Sequence, residues 1–419
     1  MEIKKISDVQ PGDKVLTSSG NWETVLATST HQPYGKKITL RLYNDTGPLV
    51  FTGNHPVLTP EGFKSAEKLE PGDKVLERID LTEHEVDYID MLDYMDRPKS
   101  ENRSNAGLYL GGIEISDDGE RIRYRNPRAH WINRYVPVNS DLMLLLGYYA
   151  AEGSCGQHNV QFTFNADEKD YHDNVRELMA RLFGVVMSTV SSKAGKSVTL
   201  SVSSHPIRSF IKEHVSGTAG HKKLSTLITH APTPYQAFFI RGYWRGDGSE
   251  HAGGYLFTTT SRTLMLQVRT LLLRLGIVSS LSTSRRAGST GTIRGRVINH
   301  NFDLLNLRVA QSESYNSLSE ILGLGAVKPP SDVKKNVRAR IDNEFLVLTV
   351  RQALSGKWSA DDTVSNLTVS GDHTYTLPSA TTHNCDSLSM ACILTNEEQE
   401  GGTVETYSNP FFSRSSVFG

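Results

Sequence analysis

The chain has 419 residues, too many for one ordinary core, so two or three domains are expected. Its 45 Lys and Arg against 46 Asp and Glu leave a formal net charge of −1, which gives no global attraction to nucleic acid; any such contact must come from local basic patches. Hydrophobic residues make up 37% and charged residues 22%, and no apolar run approaches the roughly 18 residues that span a bilayer. The start, Met-Glu-Ile-Lys-Lys-Ile, has no signal-peptide core, so a cytoplasmic protein without a membrane partner is expected. Cys155, Cys385 and Cys392 show no Cys-x-x-Cys spacing, which excludes a disulfide framework and speaks against zinc; Cys155 reads as a small buried residue and Cys392 as part of an apolar helix.

The first element is a short repeat. Residues 5 to 16 recur as residues 65 to 76, with Pro11-Gly12-Asp13 matched by Pro71-Gly72-Asp73. Pro fixes φ and Gly supplies φ > 0, so each triplet is a turn feeding a Lys-Val-Leu strand, and two related all-β halves follow. The second copy is preceded by His55 to Phe63, the first by only four residues; by the repeat, about a dozen residues equivalent to a strand and turn belong ahead of Met1. Between the copies, Thr52 and His55 place a hydroxyl and an imidazole three residues apart at a strand end.

The span 86–138 begins acidic (Asp87, Asp90, Asp93) and turns rich in Arg and aromatics (Arg121, Arg123, Tyr124, Arg125, Trp131, Arg134). A DNA-recognition annex and a linker packed on the next domain fit it equally.

A second repeat fills the middle. Leu145 to Ser154 matches Phe239 to Ser249, with Glu152 and Asp247 separated by 95 residues, as are Phe162 and Phe257. Each copy continues with a strand, then a helix with apolar residues at helical spacing (Val175, Leu178, Met179, Leu182; Leu264, Val268, Leu271, Leu272), ended by Gly184 or Gly276, then more strands. Gly147 and Ala151 lie four apart on one helix, as do Gly242 and Gly246 on the other, a spacing that lets two backbones approach closely. Packed on those faces, the helices bring Glu152 and Asp247 side by side. Two close carboxylates repel unless offered a cation; oxygen ligands with open positions suit Mg²⁺, and such ions assist phosphodiester hydrolysis. Arg285, Arg286, Arg294 and Arg296 fall in a stretch without an acid, and Lys193 and Lys196 occupy the related turn of the first copy, patches able to contact phosphates and bases.

Towards the end, Val364 to Val369 alternates like a half-buried strand and Asp372-His373 follows at a turn. Residues 383 to 385 then read His383-Asn384-Cys385: the Asn384 carboxamide can attack its own carbonyl and Cys385 can accept an acyl group.

Residues 139–325 resemble the LAGLIDADG homing endonucleases in their two-motif, single-chain form. The resemblance implies an α+β fold of two αββαββα repeats, Glu152 and Asp247 as catalytic metal ligands, Lys223 of the Lys222-Lys223-Leu224 block as charge stabiliser, and double-stranded DNA as partner. The Thr52/His55, His373 and His383/Asn384/Cys385 blocks resemble those of inteins. That resemblance implies an all-β Hint (horseshoe) splicing domain, residues 1–85 and 340–384, interrupted by the endonuclease, with Thr52 and His55 assisting a thioester shift, Cys385 capturing the acyl group, and His373 and His383 assisting Asn384 cyclisation. Splicing itself needs no cofactor. Asn366 stands where the family often has Asp, and the family's first nucleophile would precede Met1. Two explanations stay open: a split intein with a separate N-terminal fragment, or a truncated start. Residues 385–419 are then host (C-extein) protein, and Asp386 to Ala391 faintly resembles a phage terminase large subunit. A monomer in a bacterial or phage-infected cell is expected. The alternative is an autoprocessing Hint domain carrying a decayed, structural endonuclease.

Overall fold

A computed structural model describes residues 2–44, 47–95, 112–125, 129–192, 195–251, 253–285, 287–293, 296–325, 338–383, 387–388 and 392–396. These residues form two hydrophobic cores. The first draws on both ends of the chain: Val15, Val25, Ile38, Leu40, Phe51 and Val57 pack with Leu348, Leu367, Val369 and Tyr375.

Strand pairing knits those ends together. Strand Trp22–His31 runs antiparallel to Val364–Val369, and Lys37–Leu42 runs antiparallel to Phe345–Gly356. The latter long strand also pairs with Lys74–Arg78 and Ala339–Asp342. Ile38, Leu40 and Leu42 point inward and alternate with less buried neighbours, the two-residue period of a sheet with one face on a core. A second sheet orders Thr374–Leu377, Ala380–His383, Pro56–Thr59 and Gly62–Ser65.

The short repeat is reproduced down to its hydrogen bonds. Gly12 and Gly72 adopt φ of +97° and +103°, the left-handed region that glycine enters without a Cβ clash. Asp13 accepts from the Gln10 amide and Asp73 from the Glu70 amide, both at 2.9 Å. Lys4 bridges to Asp13 at 3.2 Å, as Lys64 does to Asp73 at 2.6 Å.

The second core holds seven helices: α1 (Ser140–Glu152), α2 (Lys169–Phe183), α3 (His205–His214), α4 (Thr226–Thr229), α5 (Thr233–Asp247), α6 (Arg262–Arg274) and α7 (Ser312–Leu322). Strands Gly153–Cys155, Val160–Asn165, Ser197–Val202 and Ser188–Ser191 form one sheet after α1; Gly248–His251, Gly254–Thr259, Leu304–Val309 and Ser280–Ser284 form its counterpart after α5. The expected order of helix, two strands, helix, two strands, helix stands in the first copy, and the second keeps it with an added hairpin, Thr290–Ile293 with Arg296–Asn299, between its last two strands. Asn139 caps α1 by accepting from the Leu142 amide, Ser261 caps α6 through Leu264, and Gly184 ends α2 at φ +69°. Within 86–138, Ile89, Met91, Tyr94, Ile122, Ile132 and Val136 are buried in this same core.

The two cores are joined by buried polar contacts. Glu77 receives two hydrogen bonds from the Arg269 guanidinium at 2.7 and 2.5 Å, and both side chains are almost fully buried. Asp80 receives His230 Nε2–H at 3.0 Å, while Arg274 donates to the Asp80 carbonyl at 2.7 Å. Burial opposes the charge on Asp80, but hydrogen bonds from His230 and Thr82 outweigh it and hold the carboxyl below its ordinary range. Leu273 and Val278, from the helical half, complete the β-rich core.

One expectation needs correction. Cys392 lies in a strand, Cys392–Asn396, which pairs with Glu2–Lys5, rather than in a helix; a sheet edge with unpaired backbone groups outweighs a short apolar helical pattern. In the same sheet, Ser387 lies opposite both Ser365 and Phe51.

Candidate functional site

Helices α1 and α5 meet at glycine. A Cβ built on Gly147 would stand 3.0 Å from the Gly242 Cα, and one built on Gly246 would stand 2.5 Å from the Ala151 Cβ. The two members of each pair are repeat equivalents, 95 residues apart, so the seam lies on a pseudo-two-fold axis. Glu152 closes α1 and Asp247 closes α5, and Gly246 lies against the Glu152 side chain.

Each acid therefore stands at the C-terminal, carbonyl-rich end of a helix, where negative charge is disfavoured. Burial and then Asp247 push the Glu152 carboxyl up to about 7. Burial pushes Asp247 up to about 6, opposed by Lys222. Nothing in the packing requires acids here, and paired carboxylates with raised pKa values in one place mark a functional site.

The cation beside both acids is Lys222. Its Nζ donates to the Ala150 carbonyl at 2.6 Å, and burial lowers its pKa against the pull of Asp247 and Glu152. Lys223, the expected lysine, is exposed on the adjoining short strand opposite Ser216. Neighbouring residues of an extended segment point to opposite sides, and here the phase is set from afar. Ser261 Oγ donates to the Lys222 carbonyl at 2.6 Å, and the Gln267 side chain pairs with both backbone groups of Leu224.

Glu152 and Asp247 fit a divalent cation by their chemistry: two adjacent hard oxygen donors whose charges are poorly compensated. Among the described residues no group of three or more His, Cys, Asp or Glu that could hold a metal ion is found.

The sheets beside the seam turn polar faces outward. Thr163 and Thr199 hydroxyls lie 3.1 Å apart, Asn159 donates to Ser201 at 3.1 Å, and Thr258 donates to Asn306 at 3.3 Å. The signal for this surface in the sequence is the alternation of Ser197, Thr199 and Ser201 with Val198, Leu200 and Val202. Lys196 and Arg285 are exposed in turns of these sheets. Arg296 starts the strand Arg296–Asn299, and Lys193, Arg286 and Arg294 lie outside the described residues.

A second cluster forms in the β-rich half. Thr52 ends the strand Leu49–Thr52, and the fully buried His55 ring stacks on Phe51 at 4.4 Å. Thr382 contacts His55 Nε2, and the His383 and His373 rings are 6.2 Å apart. His373, at φ +59°, donates Nδ1–H to the Val369 carbonyl at 2.7 Å. Asp372 anchors this turn: burial opposes its charge, but hydrogen bonds from Thr374, Ser18 and Ser19 hold it below its ordinary range. Asn384 and Cys385 lie outside the described residues.

The family described as the LAGLIDADG-like domain matches residues 234–318. The ATP-dependent DNA helicase Hel308 of Thermococcus kodakarensis is 24% identical over 399 residues, 89% of this chain and 34% of the helicase. An uncharacterized protein of Methanocaldococcus jannaschii, MJ0043, is 23% identical over 411 residues, 91% of this chain and 48% of that protein. The chain thus spans less than half the length of either relative. The solved structure of I-DmoI in complex with DNA and Ca is 15% identical, covering 47% of this chain and 96% of that chain with a TM-score of 0.33.

Proposed function

We propose that the helical half is a metal-dependent endonuclease that cuts double-stranded DNA at a specific site. The observation that carries this reading is the pairing of Glu152 and Asp247 at the ends of two glycine-sealed helices, with the half-buried Lys222 interacting with both. Glu152 and Asp247 would hold Mg²⁺, which when bound supplies Lewis-acid stabilisation of the phosphate and lowers the pKa of water. Lys222 neutralises charge developing at the scissile phosphate, and its bond to Ala150 fixes its position. The Ser/Thr-lined strand faces, with Lys196 and Arg285 at their turns, provide hydrogen-bonding edges for bases and cations for phosphates. The LAGLIDADG-like match, which takes in α5 and Asp247, supports the same chemistry.

The β-rich half is proposed as a self-processing domain of the intein type. Supporting it, Thr382 reaches His55 from the other end of the chain, the His373 and His383 rings lie 6.2 Å apart, and the residues next in line are Asn384 and Cys385. The comparisons add a second support. This chain aligns with part of a helicase and, over 162 residues, with 9% of a DNA polymerase of Thermococcus hydrothermalis. Matching small fractions of differently named enzymes is the pattern of a segment inserted into hosts.

One preparation tests both readings. Incubated with Mg²⁺ and a library of double-stranded sites, the protein should linearise a subset, and Asp247→Asn should not. Mass spectrometry of the expressed chain should find a fragment ending in a succinimide at Asn384. A chain left intact, and unchanged by Asn384→Ala, removes the self-processing reading and leaves the nuclease untouched.

A further inference from the structure

In the strand Ala380–His383, Ala380, Thr381 and Thr382 are fully buried, and two of the three are threonines. A buried hydroxyl is costly unless it is bonded. Thr381 accepts from the Arg78 amide at 2.9 Å. Thr382 Oγ1 lies between His55 Nε2 and the Pro56 carbonyl oxygen, the latter at 2.7 Å.

A hydroxyl carries one proton, and a carbonyl only accepts. The Thr382 proton therefore goes to Pro56, and the contact with Nε2 requires Nε2–H as donor. The His383 carbonyl, 3.5 Å away, also only accepts and leaves this count unchanged. Other restraints fix the rest of His55: its ring lies 9° from parallel to Phe51, its amide donates to Thr52 O at 3.1 Å, and its carbonyl accepts from Ala66 at 2.8 Å. The half-turn flip of the ring is the freedom left, and Thr382 removes it.

We propose that Thr382 is a positioning residue that fixes His55 as its Nε2-protonated tautomer and so presents the Nδ1 lone pair as proton acceptor. His373 is set the opposite way, because its Nδ1 donates to Val369 and its lone pair is on Nε2. The two imidazoles thereby carry their lone pairs on different ring nitrogens. The consequence for peptide-bond chemistry rests on the self-processing reading; the tautomer does not.

The test is ¹⁵N spectroscopy of the full chain labelled at histidine, at about pH 8 where an ordinary imidazole is neutral, with His55 assigned by its loss in His55→Gln. Wild-type His55 should show a protonated Nε2 and a bare Nδ1. Thr382→Val should mix or reverse this pattern, and Thr382→Ser should restore it, with melting curves recorded for both. Cleavage at Asn384 is read separately: a protein that shows the pattern without cleaving keeps the tautomer assignment and loses only the self-processing reading. A wild-type His55 protonated on Nδ1, or a pattern unchanged in a folded Thr382→Val, overturns the proposal.

Discussion

Gly147 and Gly242 face each other so closely that a Cβ on the first would stand 2.3 Å from the Phe239 carbonyl oxygen, and a Cβ on the second 2.3 Å from that of Leu144. Both obstacles are backbone, which cannot swing aside. Alanine normally stabilises a helix by about 1 kcal/mol over glycine, whereas overpacking costs about 1–3 kcal/mol or more. Gly147→Ala and Gly242→Ala should therefore lower the melting temperature and abolish DNA cleavage. An unchanged melting temperature would mean that the seam is not tight.

The acids should make metal-free stability pH-dependent. Glu152 and Asp247 have folded-state pKa values raised to about 7 and about 6, so the native state binds more protons than the unfolded chain in this range. Their contribution is fully present below about pH 4 and is lost as pH rises through about 7. Glu152→Gln/Asp247→Asn should gain stability relative to wild type across that window, measured by chemical denaturation in chelator. Near neutral pH, Mg²⁺ should raise the wild-type melting temperature and leave the double variant unmoved.

Lys222→Ala should slow cleavage by about 10²-fold or more, the scale for losing one pre-positioned charge-stabilising group. Lys223→Ala should stay within a few-fold of wild type. Single-turnover rates at saturating enzyme separate the two, and the reverse ranking would return the role to Lys223.

Breaking the buried pair from one side should be severe. Arg269→Met or Glu77→Leu leaves an uncompensated buried group, at a cost of about 3–5 kcal/mol, whereas the two combined should be far milder. Urea titration of the four proteins gives the coupling. Additive losses would show that the two side chains do not act as a unit.

The repeats explain what is legible in the sequence. A 95-residue offset carries helix, strand and glycine positions together, so the α1–α5 seam and both acids can be read from the residues alone. The 60-residue offset does the same for the turns at Gly12 and Gly72, because turn chemistry is local. Lys222 is not legible, since its orientation is dictated by Ser261 and Gln267, which reach it only in the folded chain. The same holds for Thr382, whose partners lie more than 300 residues away. Glu77 and Arg269, 192 residues apart, carry no local signal of their pairing.

Leu273 and Val278 belong by sequence to the helical half but sit in the β-rich core. A miniature made by excising residues 139–325 would thus lose two apolar side chains from its remaining interior and leave Glu77 and Asp80 without their cationic and imidazole neighbours. Shortening this gene is consequently a redesign of the surface left behind, with fresh aliphatic plugs and two acids retired together.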